Sequence, residues 1–205
     1  MVKRGDGLRG KLIALEGTDG CGKTTHAKLL VEWLRSKGLK TVITDEPTDG
    51  RIGEILKRAA KGEFKLLPEV EALLFAADRV QHVAEIILPA LESGNIVVTE
   101  RYIHSSMAYQ SARGLPLKWI KTINSRVPRP DLAILIDVPV ADALKRIKPL
   151  RELDTFEQDQ EFQKRVREKY REIADEESLI VVNGVAKIEE VQADIRKHVS
   201  ALLGI

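Results

Sequence analysis

The sequence predicts an open α/β fold of three layers, with helices on both faces of a five-stranded parallel sheet. Three observations predict it. Five short apolar runs recur along the chain, with stretches of helical apolar spacing between them. Glycines fall where several of those helices should end. The first strand runs straight into Gly17-Thr18-Asp19-Gly20-Cys21-Gly22-Lys23-Thr24-Thr25, which fits G-x-x-x-x-G-K-[ST] and leads into a helical pattern. Strand, glycine loop and helix are the context that this phosphate-binding pattern requires. In such a sheet, ligands bind outside the carboxyl ends of the strands.

The elements follow in order. Residues 1–10 read as a short basic tail, and 11–205 as a single domain. Strands are expected at Leu12–Leu15, Thr41–Thr44, Ile96–Thr99, Leu132–Val138 and Leu179–Val182. Helical patterns cover Thr24–Ser36, Ile52–Ala60, Pro68–Leu91, Leu117–Asn124, Ala141–Ile147, Phe156–Asp175 and Ile188–Leu203. Gly38, Gly62 and Gly94 mark helix ends. Pro89 should bend or restart the long third helix, because it has no N–H to donate. The functional loops are then those after each strand: 17–24, 45–51, 100–114, 139–154 and 183–187.

Composition sets bounds. The 205 residues suit one domain with room for a mobile subdomain, and 43% hydrophobic content supports a sizeable core. A net charge of +2 gives no electrostatic pointer to nucleic acid or membrane. The first apolar run is too short for a secretory signal, and Asp78, Arg79 and Glu85 interrupt the longest one, Ala72–Leu91. One cysteine, Cys21, excludes an internal disulfide framework and fits a cytoplasmic protein.

The glycine loop supplies chemistry of its own. Its glycines let backbone N–H groups turn toward a triphosphate, and the following helix adds positive potential at its N-terminus. Lys23 reaches the β and γ phosphates, and Thr24 ligates Mg2+ directly or through water. Cys21 reads as a small filler of the loop. Two further segments stand out: Glu100-Arg101-Tyr102-Ile103-His104-Ser105-Ser106-Met107-Ala108-Tyr109-Gln110 directly after a strand, and Leu73-Leu74-Phe75-Ala76-Ala77-Asp78-Arg79-Val80-Gln81-His82.

Taken with EGxDGxGKTT, DEPTD-x-x-IG, PRPDL-x-x-x-IDVP and the ELD-x-x-E helix start, these segments resemble the thymidylate kinases, in order from about Leu12 to Asn183. The resemblance implies a P-loop NTPase fold with a short mobile lid, ATP as phosphoryl donor, Mg2+, dTMP as acceptor and a homodimer. The acceptor is itself an anionic phosphate, so it needs no strong general base. It needs cations that offset the repulsion between two phosphates.

Arg101 fits that need, against the alternative of a surface salt bridge. Phe75 and Arg79 share a helix face at i, i+4; in similar kinases the first stacks on thymine and the second bonds a base carbonyl, while plain core packing is the other reading of Phe75. By the same resemblance Tyr109 crowds the 2′ position, Asp19 contacts the acceptor sugar, Glu46-Pro47 forms an acceptor-side turn, and Ser106 and Gln110 neighbour the base. Ser106 can equally cap a helix beginning there, and Asp19 can stabilise an Asx turn. Arg51 and Arg58 are further candidates for the acceptor phosphate. Asn183 should border the adenine.

Gly20 stands where some relatives carry a basic residue, so the transition-state cation is expected from a lid at about 146–154, from Arg151 first and Arg146 second. Glu100 replaces the usual Asp of Asp-Arg-Tyr and keeps the charge needed near Mg2+. Asp137 reads as structural. His26, His82, His104 and His198 show no metal spacing. Rival readings are a deoxynucleoside kinase acting on a 5′-hydroxyl and a non-catalytic nucleotide-binding module.

Overall fold

The computed structural model describes residues 10–147, 149 and 154–205. The expected basic tail, save Gly10, and most of the expected lid, Arg151 included, lie outside the described residues.

Five strands form one parallel sheet: β1 (Lys11–Glu16), β2 (Thr41–Asp45), β3 (Ile96–Glu100), β4 (Leu132–Asp137) and β5 (Ile180–Asn183), in the order β2-β3-β1-β4-β5. Each matches its expected run to within two residues. The helices are α1 (Lys23–Ser36), α2 (Arg51–Ala60), α3 (Pro68–His82), α4 (Leu88–Glu92), α5 (Ile103–Ala112), α6 (Leu117–Ile123), α7 (Val140–Ile147), α8 (Thr155–Gln158), α9 (Gln160–Glu177) and α10 (Ile188–Leu203).

Alternation along the strands divides the core into two layers. Ile13, Leu15, Val98, Ile134 and Ile136 face α1 and α10. Leu12, Ala14 and Val97 face the other way, against Val83, Ile87 and Leu91. Leu135 packs with Met107 of α5 and Val166 and Tyr170 of α9. Burial on both faces is why these strands read as continuous apolar runs.

Three departures from the sequence expectation have physical causes. The expected loop after β3 is mostly the helix α5. Seven of its ten residues are buried, so it has no polar face to betray a helical period. The long third helix does not simply bend at Pro89. A five-residue π-helical turn, Val83–Ile87, joins α3 to α4 just ahead of it; proline cannot donate to the carbonyl four residues back. The expected helix Phe156–Asp175 is broken at Asp159, whose carboxylate accepts from the Phe162 N–H at 2.9 Å and caps α9. Asp154 opens α8 through a capping box with Glu157.

Register brings the site together. Leu15 pairs with Glu100, and Asp45 pairs with Glu100 on the other side. The Arg101 N–H donates to the Leu15 carbonyl at 2.9 Å, and the Glu46 N–H to the Glu100 carbonyl at 3.0 Å. The segments leaving β1, β2 and β3 therefore emerge side by side at one edge of the sheet.

Candidate active site

The glycine loop is shaped by close backbone packing. Gly20 has φ 76°, and a Cβ there would stand 2.4 Å from the Ala143 carbonyl oxygen. Gly17 has φ 140°, and its Cβ would meet the Ile136 carbonyl oxygen at 2.7 Å. Both positions exclude a side chain twice over, by conformation and by space. Cys21 is fully buried in the core beneath the loop, a filler as expected. Lys23 is buried too, and its Nζ donates to the Gly17 and Thr18 carbonyls, each at 3.0 Å.

A cavity of about 410 Å3 opens over this loop, lined by Gly20, Gly22, Lys23, Thr24, Thr25 and Glu100, with Arg146 at its border. Arg146 donates to the Gly184 carbonyl at 2.8 Å, tying α7 to the segment after β5. Asn183 is exposed and does not line the cavity; its Oδ1 accepts from the Val185 N–H at 3.1 Å. Thr18 faces the α7 side of the loop. The Thr24 hydroxyl donates to Glu100 Oε2 at 2.6 Å, so the two oxygen donors assigned to a metal stand together.

A second cavity, of about 380 Å3, adjoins the first. Asp19, Glu46, Pro47, Phe75, Arg79, Arg101, Ser106, Tyr109 and Gln110 all line it. Of the eleven positions assigned to an acceptor, Arg51 and Arg58 do not; Arg51 is exposed at the start of α2. The α2 residues on the wall are Leu56, Lys57, Ala59 and Ala60, with Lys61 just past the helix end. Lys57 was missed by sequence reading. Its signal was periodicity: it lies four residues after Gly53, which is buried on the same face. Lys57 Nζ bonds Asp49 Oδ1 at 2.5 Å, and Arg58, off the wall, pairs with Glu63 at 2.7 Å.

Asp19, Asp45, Glu46 and Arg101 line both cavities. Arg101 therefore stands where the two meet. Its backbone has φ 66°, left-handed and uncommon for a residue other than glycine, and is held on both sides: by Leu15 at its N–H and by the Thr99 hydroxyl at its carbonyl, 2.9 Å away. Its guanidinium reaches Asp19 Oδ1 at 2.5 Å and lies 4.9 Å from the centre of the Tyr109 ring. Burial would raise the Asp19 pKa, but the charges of Arg101 and Lys23 and bonds from Arg101 and Tyr109 outweigh it and hold the carboxyl well below its usual range. Burial pushes Tyr109 up, so its hydroxyl keeps the proton that it donates to Asp19 Oδ2 at 3.1 Å. Asp19 is thus engaged across the cavity mouth, and Tyr109 is fixed by its hydroxyl and by edge contacts with Phe156, Phe162 and Tyr170.

Phe75 is half-buried and belongs to the cavity wall, outside the core clusters. Arg79 is 1% exposed and all its guanidinium nitrogens have protein acceptors: Glu46 at 2.8 Å, Ser106 at 3.0 Å, the Tyr102 carbonyl at 3.1 Å and Asn124. Ser106 lies one turn inside α5, whose N-cap is Tyr102, so the capping alternative falls away. Glu46 also meets His82 Nδ1 at 3.0 Å, and His82 Nε2 meets the Thr44 hydroxyl at 2.7 Å. His82, which sequence reading left without a role, anchors this buried set. Breaking a buried ion pair strands its partner's charge. Glu46→Ala is expected to cost about 3–5 kcal/mol, read as a lower denaturant midpoint. Gln110 is buried with its Oε1 unpaired. Asp137 is structural as expected, in a two-pronged bond to Arg167 at 2.6 and 2.8 Å.

Asp154 and Phe156 also line the acceptor-side cavity. Burial, with Glu157 and Asp19 nearby, pushes Asp154 from an ordinary 3.8 up to about 6. A folded-state pKa above the unfolded one gives stability that is full below 3.8 and lost as pH rises through about 6. Asp154→Asn keeps a capping oxygen and removes the charge. It is expected to raise the melting temperature at pH 7 by about 2–4 °C and to give no gain at pH 4, as thermal melts would show.

No helix among the described residues is long and apolar enough to cross a membrane. The family model described as thymidylate kinase matches residues 15–195. A probable thymidylate kinase of Pyrococcus horikoshii is 48% identical over 194 residues, covering 92% of this chain and 95% of that one. Those of Pyrobaculum calidifontis and Archaeoglobus fulgidus are 46% and 42% identical, over 89% and 95% of this chain and 92% and 97% of theirs. With nearly the whole length matched, and a glycine cradle opening onto an arginine-bearing second cavity, this chain belongs to the thymidylate kinase family.

Proposed function

We infer that the protein transfers the γ-phosphoryl group of ATP to dTMP, giving dTDP. One observation carries the reading: the cavity over the glycine loop and the cavity walled by Phe75 and Tyr109 share Arg101 and Asp19. Two phosphate-bearing substrates lying in these cavities meet at Arg101. Its guanidinium, kept charged by the Asp19 carboxylate beside it, grips the acceptor phosphate and offsets repulsion as the phosphates close in line. Lys23 and the loop N–H groups hold the donor phosphates.

Thr24 and Glu100 present two oxygen atoms 2.6 Å apart beside the loop, a donor set that suits Mg2+. When bound, the ion neutralises charge on the donor phosphates. Glu100 thereby does the work of the Asp common in the family. On the acceptor side, Phe75 stacks on the base, Ser106 and Gln110 edge it, and Tyr109, immobilised at ring and hydroxyl, leaves no room for a 2′-hydroxyl. Lys57 takes the acceptor-phosphate role first assigned to Arg51. The transition-state cation is proposed to come from the segment at about 146–154, from Arg151 first and Arg146 second. The site serves a cytoplasmic enzyme with no nucleic-acid partner.

An acceptor panel of dTMP, dUMP, dCMP, dGMP and thymidine with ATP and Mg2+ tests this. Selective turnover of dTMP supports it. Robust turnover of thymidine with none of dTMP overturns it in favour of a deoxynucleoside kinase, and ATP binding without transfer favours a non-catalytic module.

A homodimer is also proposed. Val70, Leu73, Val80 and Ile86 are 40–49% exposed along α3 and the π-helical turn. Leu73 and Val80 lie two turns apart on one stripe, suited to a second copy. Light scattering at micromolar concentration is expected to give a two-subunit mass; a single-subunit mass removes the dimer.

A further inference from the structure

Glu16 is the last residue of β1 and the one charged residue of that strand with no exposed surface. The chemistry above makes no use of it. Its Oε2 accepts from the Ser105 hydroxyl at 2.6 Å and from the Tyr170 hydroxyl at 3.2 Å. Its Oε1 faces His104 Nδ1 at 3.5 Å, and among the described residues neither atom makes a closer hydrogen bond. Ser105 in turn accepts from Arg101 Nη1 at 3.5 Å. Arg101 is thus flanked by two carboxylates: Asp19 in the cavity, in direct contact, and Glu16 behind it, reached through one hydroxyl.

We propose that Glu16 is a positioning residue for Arg101, acting through Ser105 to fix the direction from which the guanidinium meets the acceptor phosphate. This rests on Arg101 being the acceptor-phosphate clamp. The reasoning is one of hydrogen-bond polarity. A serine hydroxyl has a single proton to give and two lone pairs. A carboxylate only accepts, so it takes the Ser105 proton and turns the lone pairs of Oγ toward Arg101. Burial pushes the Glu16 pKa up, but the partners His104 and Ser105 and the charge of Arg101 outweigh it and keep the group ionised. An amide at position 16 can instead donate to Ser105, which frees the hydroxyl proton to point at the guanidinium. The same chain holds when Asp19 is drawn to a bound sugar, because Glu16 lies behind the arginine and makes no contact in the cavity. Tyr170 closes the arrangement, its hydroxyl 2.7 Å from Ser105 Oγ.

The test is steady-state kinetics of the full-length enzyme with both substrates varied, on Glu16→Gln, Ser105→Ala, the double variant and Arg101→Ala, with thermal melts alongside. Glu16→Gln and Ser105→Ala are each expected to lower kcat/KM for dTMP by roughly 10- to 100-fold, with KM for ATP within twofold of the parent. The double variant is expected to be no worse than the worse single, since both cut one chain. Folded single variants that both handle dTMP within twofold of the parent overturn the proposal, as do losses that multiply in the double. If Glu16→Gln fails to fold, Ser105→Ala decides alone. Should Arg101→Ala itself leave dTMP turnover unchanged, it is the clamp that fails; should it collapse turnover while the other two do nothing, only Glu16's role falls.

Discussion

Arg101→Ala is expected to lower kcat by on the order of a thousandfold, while KM for ATP stays within a few-fold. The size follows from position. Arg101 borders both cavities, and its charge is held there by Asp19 at 2.5 Å and by the Tyr109 ring at 4.9 Å. A cation between two phosphates does most for the state in which they are closest, so its loss falls on turnover more than on donor binding. Arg101→Lys is expected to recover only part of the activity. Ammonium keeps the charge but loses the fork that bonds Asp19, Ser105 and an acceptor phosphate at once. The left-handed backbone at φ 66° gives a further reading. Arg101→Gly is locally relaxed yet should be as inactive as the alanine variant, which separates the value of the guanidinium from the cost of its backbone. Single-turnover measurement with dTMP and ATP checks all three, and an alanine variant within tenfold of the parent rules out Arg101 as the transfer-site cation.

Lys23→Met is expected to reduce kcat/KM for ATP on the order of 100- to 1000-fold. Methionine keeps an unbranched apolar stem of similar reach in a position only 7% exposed, so packing should survive. What disappears is the ammonium that bonds the Gly17 and Thr18 carbonyls at 3.0 Å. Those two carbonyls also lose their donor, so the melting temperature should fall by a few degrees, about 2–4 °C per kcal/mol lost. Nucleotide titration and turnover of the same preparation measure both effects. Unchanged ATP handling in a folded Lys23→Met would show that the loop does not hold the donor.

Much of this was legible in the sequence because parallel strands announce themselves. Burial on both faces makes Leu12–Leu15 or Ile96–Thr99 apolar throughout, and the glycine loop is a fixed spacing of residue types. The same logic explains what was hidden. In α5, Ile103, Ser105, Ser106, Met107 and Ala108 are all buried, so its period leaves no amphipathic trace. Lys57 was passed over for Arg51 and Arg58 because residue type outweighed helical phase; only α2's packing shows which face meets the cavity. The network around Arg79 joins positions 46, 82, 102, 106 and 124, and no local pattern reports a bond between residues tens of positions apart. Glu16 was invisible for a related reason. A carboxylate ending a strand looks like the strand's exit to solvent until the helix behind it is seen.

The widened turn at Val83–Ile87 has a consequence for how this chain tolerates change in length. One extra residue is absorbed there in a single wide turn, so α4, which is packed under the sheet, and α3, which carries Phe75 and Arg79, keep nearly the phase of one continuous helix. Removing a single residue from the turn should restore ordinary winding with Phe75 still on its wall. Removing one from α3 between Phe75 and Val83, where no wide turn absorbs it, would swing the stacking ring by about 100° about the helix axis although no residue that touches a nucleotide had been altered.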